Sequence, residues 1–342
     1  MMKWIFRSIW IVPALGWTGC LLFGGWWGWY AIASIAFLIL YGIGILWLYD
    51  YTMQGVINSE MASAESDPLT EAGLDYENII IKSSNGSPIS GWYLQSDVSV
   101  EGNPIIIYSH GFSLSKEQLG APSYKQFGYF LQKGYSILTF EYPLGSRDRS
   151  HIASCGIMER DDLTSVVRFA REKDHQFISV MGYSYGGGTA LFTCVDAEHQ
   201  EIDALVLDSS FIPVMNVFID KFHHWMGYPR ILSRVLLPVM WKRHLSISWQ
   251  EHPMETVFTK SCETPILFWH GTEDADASYQ LISQIHAKQR HPFTKLRTVE
   301  KGEHVALHEV VGEDEYNDDT FAWLEKVRRA SRDQNTFDTQ IM

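Results

Sequence analysis

Residues Phe177-Ile178-Ser179-Val180-Met181-Gly182-Tyr183-Ser184-Tyr185-Gly186-Gly187-Gly188 read as a buried strand that runs straight into a serine flanked by glycines. Apart from Ser179, positions 177–181 are continuously apolar, the pattern of a strand covered on both faces. A helix is predicted to follow over 189–195. Ser184 thus sits where a strand meets a helix, and the turn must be sharp if its hydroxyl is to stand clear of the sheet. Gly182 and Gly186, two residues before and two after, remove side chains that would clash in such a turn. Gly187 and Gly188 let the helix approach the sheet closely. A Gly-x-Ser-x-Gly pentapeptide often arises by chance, so its place between strand and helix is what gives it meaning.

Working outward, residues 78–82 and 89–94 predict two strands joined at Asn85-Gly86, a hairpin signal. Further strands are predicted over 104–108, 135–140, 204–207, 265–269 and 296–299. Helical spacing of apolar residues marks 124–132, 161–173, 278–288 and 316–329. Strands alternating with helices predict an α/β fold, a mainly parallel sheet covered on both faces. Counting the antiparallel start, it should have eight strands. Residues 211–260 break the alternation between the sixth and seventh strands. They are rich in aromatics and histidine, and predict a helical cap inserted over the strand ends. No acid or cysteine is spaced with His223, His224 and His244 as a ligand would be, so no metal site is expected.

A serine hydroxyl is a poor nucleophile at neutral pH and needs a base that is itself oriented by an acid. His304, in Lys301-Gly302-Glu303-His304, lies after the last strand and before the last helix. Asp274, in His270-Gly271-Thr272-Glu273-Asp274, follows the seventh strand. One helix and one strand separate the two, enough chain to bring their loops together. His286 within a helix, His291 before a strand and His308 beside the final helix suit the base less well. Glu273 and Asp276 crowd the same loop as Asp274 and compete with it as the acid. An oxyanion needs two fixed N–H donors. Tyr185, next after the serine, supplies one. Phe112, in Ser109-His110-Gly111-Phe112, supplies the other, with Gly111 admitting the substrate and His110 in a hydrogen-bonding role.

These motifs, in this order, resemble the α/β-hydrolase superfamily over about residues 76–330. The nearest likeness is to its serine aminopeptidase-like and Bem46-like branch, whose members often carry an N-terminal membrane segment. Gly-x-Ser-Tyr-Gly-Gly is also similar to the prolyl oligopeptidases, without their propeller. The resemblance implies a triad of Ser184, Asp274 and His304, with Asp274 in the family position four residues after His270. Glu141-Tyr142-Pro143-Leu144-Gly145 stands where Asp-x-Arg-Gly-x-Gly is often found.

Between residues 4 and 49 the sole charged side chain is Arg7. A hydrocarbon core about 30 Å thick is crossed by about 20 helical residues, so this run suggests two spans, 5–23 and 29–49. They divide at Gly24-Gly25-Trp26-Trp27-Gly28-Trp29, where glycines favour a turn and tryptophans the interface. Lys3 and Arg7 place the N-terminus in the cytoplasm, and a hairpin returns the catalytic domain to that side. A single span with a re-entrant partner would reverse it. A cleaved signal peptide fits poorly, because the run is too long and has no evident cleavage site. The expected organisation is a membrane hairpin (1–50), a linker (51–75), the hydrolase domain (76–330, cap 211–260) and a tail (331–342).

The net charge of −13 offers no basic stripe for nucleic acid. Cys20, Cys155, Cys194 and Cys262 have neither paired nor regular spacing, which suggests buried free thiols. No cofactor is expected. The function expected is hydrolysis of carboxylic esters or thioesters through an acyl-enzyme on a small-molecule or lipid-like substrate. A short-peptide peptidase and a non-catalytic, membrane-tethered interaction module are the alternatives. Phe218, Phe222, Trp225, Trp241 and Trp249 of the cap would either wall an acyl chain or pack the cap helices together.

Overall fold

The computed structural model describes residues 27–58, 64–117, 123–143, 153–195, 201–246, 248–249 and 253–341. In chain order the elements are α1 (Trp27–Ile57), α2 (Pro68–Ala72), β1 (Glu77–Lys82), β2 (Pro88–Leu94), β3 (Ile105–Ser109), α3 (Ser123–Gln132), β4 (Ser136–Phe140), α4 (Ile157–Glu172), β5 (Ile178–Tyr183), α5 (Tyr185–Val195) and β6 (Ala204–Asp208). Then come α6 (Met215–Met226), α7 (Arg230–Leu245), a short turn of 3₁₀ helix (Pro253–Phe258), β7 (Ile266–Gly271), α8 (Tyr279–His286), β8 (Lys295–Val299), α9 (Leu307–Val311) and α10 (Glu313–Ile341). They fall into two compact units. One holds the described residues of Asn58–Ile212 and Pro253–Met342, the other those of Met1–Ile57 and Pro213–His252.

The first unit is built on an eight-stranded sheet of order β1-β2-β4-β3-β5-β6-β7-β8. β2 runs antiparallel to both β1 and β4, and every other pairing is parallel. The five strands from β3 to β7 are buried along their whole length, which is why their sequences are apolar runs rather than alternations. From β3 the chain passes to β4 on one side and later returns to β5 on the other. Such a reversal opens a crevice at the carboxyl ends of the two central strands. Register aligns those ends: Ser109 pairs with Gly182, Tyr183 with Asp208, and Gly271 with Val299.

Two helices differ from the sequence expectation. α5 begins at Tyr185, immediately after the serine, because the glycines that hide the apolar period are themselves helical. α10 runs on through the stretch read as a tail, since no Gly or Pro from Ser331 to Ile341 stops it. The Cys155, Cys194 and Cys262 thiols are buried.

α4 also buries Asp162, which accepts a hydrogen bond from Ser83 Oγ. Burial pushes this carboxyl up to about 7, the bond from Ser83 opposes that, and the charges of Glu159 and Asp161 add to it. An acid that holds its proton more tightly when folded contributes stability that is complete below the ordinary carboxylate range. That stability drains away as pH rises through about 7. Asp162→Asn should therefore gain on the parent as pH rises from about 4 to 7, by up to a few kcal/mol at about 1.4 kcal/mol per pH unit. Denaturant unfolding of the two proteins across that range checks it, and parallel curves would contradict it.

In the second unit, α1 is the one helix among the described residues long and apolar enough to cross a membrane. Trp29, Ile32, Ile35, Leu40, Ile43 and Trp47 are exposed along it. The predicted first span, 5–23, lies outside the described residues. α1 also continues past the expected boundary at residue 50 to Ile57. Its last turns are held by burial of Tyr49, Met53 and Ile57, by a bond between Tyr49 Oη and Ser233 Oγ (2.8 Å), and by one between Tyr228 Oη and Thr52 Oγ1 (2.7 Å). Four of the five cap aromatics are spent on packing within this unit. Phe218, Trp241 and Trp249 form one cluster, with ring centroids 4.6–5.8 Å apart, and Phe222 stacks on Tyr49 at 6.4 Å. Trp225 is exposed.

Candidate active site

The turn between β5 and α5 holds Ser184 at φ 50°, a left-handed conformation that L-residues seldom adopt. Backbone bonds fix it there: Ser184 N–H donates to Asp208 O (2.9 Å), and Ser184 O accepts from Phe211 N–H (2.9 Å) and Gly188 N–H (3.1 Å). Crowding accounts for the flanking glycines. A Cβ at Gly186 would stand 2.2 Å from the Ser109 carbonyl oxygen, and one at Gly182 would stand 2.7 Å from Gly187 Cα.

His304 Nε2 lies 2.8 Å from Ser184 Oγ, and His304 Nδ1 lies 2.8 and 3.0 Å from the two oxygens of Asp274. The carboxylate fixes the tautomer. With Nδ1–H donated to Asp274, Nε2 presents its lone pair to the serine hydroxyl. The Asp274 side chain is fully buried, and its Oδ1 also accepts the N–H groups of Asp276 (2.9 Å) and Ala277 (2.7 Å). Burial alone would raise this carboxyl; the bond and charge of His304 and the two N–H donors outweigh it and hold it below its ordinary value. Of the three acids crowding the loop, Asp274 is thus the one placed on His304 Nδ1, while Asp276 turns its own N–H to Asp274 and Glu273 is exposed.

The loops carrying acid and base meet glycine to glycine. A Cβ on Gly271 would lie 2.1 Å from Gly302 O, and Glu273 N–H donates to that oxygen at 3.1 Å. After His304, the β-branched Val305 is held at φ 60°, with its N–H on Ser209 Oγ (3.0 Å). Strain of this kind costs about 1–3 kcal/mol and persists where the surroundings over-determine it. His286 lies within α8, His291 before β8 and His308 in α9.

Of the two expected oxyanion donors, Tyr185 is the first residue of α5, where N–H groups have no carbonyl one turn back and the helix end favours negative charge. Gly111 borders the serine, since a Cβ there would stand 3.6 Å from Ser184 Cβ. The Phe112 ring packs on Tyr185 with centroids 5.5 Å apart. His110 orders this loop. Its Nδ1–H donates to Gly111 O (2.8 Å) and its Nε2 accepts Tyr142 N–H (3.1 Å). Burial, only partly offset by the bond to Gly111, brings it down to about 4 and keeps it neutral.

Two supporting residues, Glu159 and Asp208, escaped the sequence reading, and a third, His270, was read only as a marker for Asp274. Glu159, fully buried, accepts bonds from Tyr185 Oη (2.6 Å), Ser154 N–H (2.8 Å), Ser154 Oγ (2.5 Å) and Gly156 N–H (2.9 Å). It thereby anchors the residue that follows the serine. Asp208 ends β6 beneath the site and accepts Tyr316 Oη (2.7 Å); burial pushes it up to about 6 against the pull of that bond. An acid closing the apolar run Ala204–Asp208 was the available signal. His270 is buried and donates Nε2–H to Ala277 O (3.2 Å), steadying the loop of Asp274.

The sheet order, the antiparallel entry and the serine at the β5–α5 turn define the α/β-hydrolase fold. No protein-family model matches the chain. It is 24% identical over 292 residues to the uncharacterised protein YqkD of Bacillus subtilis (strain 168), covering 80% of this chain and 87% of that one. Among solved structures it is similar to the Pyrococcus furiosus esterase Pf2001, with a TM-score of 0.60, 17% identity, and 79% and 98% of the two chains covered. It is also similar to the Pyrococcus horikoshii acylaminoacyl peptidase, with a TM-score of 0.52, 16% identity, and 75% and 42% covered.

Proposed function

We propose that this protein is a membrane-anchored serine hydrolase that cleaves carboxylic esters or thioesters through an acyl-enzyme on Ser184. The observation that carries the reading is the unbroken chain from Ser184 Oγ through His304 to the buried Asp274, with 2.8 Å at each step. In the forward step His304 Nε2 takes the hydroxyl proton as Oγ attacks the acyl carbon. Asp274 stabilises the imidazolium so formed without taking its proton. The N–H groups of Tyr185 and Phe112 receive the oxyanion. His304 then protonates the departing alkoxide or thiolate, and water, activated by the same imidazole, releases the acid. A peptidase on short peptides is the second reading, favoured by the fold shared with an acylaminoacyl peptidase. The motifs suggest placement in the serine aminopeptidase-like and Bem46-like branch.

The substrate proposed is a small or lipid-like acyl compound. It rests on the exposed apolar length of α1 and not on the cap aromatics, most of which are occupied. Each acyl methylene buried is worth about 0.8 kcal/mol, so four added methylenes would raise kcat/KM about a hundredfold. A nitrophenyl ester series from acetyl to dodecanoyl tests this; a maximum at acetyl or propionyl would turn the reading toward small esters or peptides.

For topology, the apolar run divided at residues 24–29 suggests a two-span hairpin, and Lys3 and Arg7 then put the N-terminus and the catalytic unit in the cytoplasm. Alkaline phosphatase fused after Met342 should then be inactive, whereas an active fusion would mean that the unit is exported.

A further inference from the structure

We infer that α7 is an in-plane surface helix that seats the cap unit on an anionic lipid bilayer. The inference rests on the membrane anchoring proposed above. Two bonds set the direction of α7. Ser233 meets Tyr49 of α1, and His244 meets the neighbouring Asp50 at 2.9 Å. Those partners on α7 are eleven residues apart, about 16 Å along a helix, whereas Tyr49 and Asp50 are about 1.5 Å apart along theirs. α7 therefore crosses α1 steeply instead of running beside it.

The crossing falls where the apolar part of α1 ends, since Asp50 is the first charged residue after Arg7. Residues 27–48 span about 33 Å at 1.5 Å per residue, enough for a hydrocarbon core of about 30 Å. A helix crossing at Asp50 lies at the bilayer surface.

The surface of α7 suits that position. Ser233, Leu237, Met240 and Trp241 are buried, whereas Ile231, Val235 and Val239 are 78%, 61% and 54% exposed. The last three recur every fourth residue, and half-buried Leu232 and Leu236 widen the same apolar arc. Arg234 and Lys242 are exposed at its margins and end, and neither has an ion pair among the described residues. In a chain of net charge −13, residues 213–246 carry five lysines and arginines against one acid, Asp220. An apolar arc edged by basic residues, on a helix lying across the end of a span, is complementary to acyl chains below and anionic headgroups beside.

Photo-crosslinking of the full chain in vesicles tests this. p-Benzoylphenylalanine replaces Val235, or Ile231 as a second site, with Leu40 of α1 as the membrane reference and exposed Ile80 of β1 as the aqueous one. In phosphatidylcholine–phosphatidylglycerol vesicles, lipid adducts should form at positions 235 and 231 at yields like those at 40, and not at 80. Yields at 235 should fall in phosphatidylcholine alone, and R234Q/K242Q should remove that difference. Adducts at 40 but not at 231 or 235 would overturn the inference while leaving the anchor intact. Absence at all three would overturn both. Adducts joining two copies of this chain at 235 would replace the bilayer with a protein interface, and equal yields in the two vesicle types would overturn recognition of anionic lipid.

Discussion

Ser184→Ala will lose ester hydrolysis by at least about 10⁴-fold, as expected when the nucleophile of a triad is removed. Among the described residues the hydroxyl that meets His304 Nε2 is that of Ser184, so on the proposed mechanism covalent catalysis ends with it. The fold should be almost unaffected. Alanine keeps the Cβ of serine in the left-handed turn at φ 50° and loses only Oγ, and the bonds to Asp208, Phe211 and Gly188 come from the backbone. Loss of activity together with an unchanged denaturation midpoint separates a missing nucleophile from a damaged elbow. Retention of activity would remove Ser184 from the mechanism.

Asp274→Asn should be nearly as severe, about 10⁴-fold in kcat, with KM little changed. An amide in the same place cannot fix the His304 tautomer, and its NH₂ group facing Nδ1 would leave Nε2 protonated and useless as a base. The buried N–H groups of Asp276 and Ala277 still find the amide oxygen, so folding should survive. Asp276→Asn, by contrast, should leave the rate within a few-fold. If the two variants exchanged these behaviours, the acid would have to be reassigned.

The sequence made the sheet legible because its central strands are buried on both faces and therefore apolar without interruption. The serine was legible because two glycines must stand where any side chain would strike the backbone. Glu273 and Asp276 crowd the same loop, and the sequence favoured Asp274 through its family position four residues after His270. Which carboxylate turns inward is a matter of contacts in the fold, and Asp274 is the one that meets His304 and the N–H groups of Asp276 and Ala277. Glu159 gave no sign in the sequence and Asp208 only that of an acid closing an apolar run, because each is an acid whose meaning lies in the tyrosine it meets, Tyr185 or Tyr316, far away in sequence. The aromatics of the cap read equally as pocket or packing. Phe222 packs on Tyr228 and also on Tyr49, a residue of α1.

The most direct test of a serine-based hydrolase is to find where an active-site phosphonate lands. The intact protein, treated with a fluorophosphonate and digested, should carry the adduct on the peptide containing Ser184 and nowhere else. Mass spectrometry should find labelling and loss of esterase activity advancing together. An adduct on another residue, or full labelling of Ser184→Ala, would contradict the account.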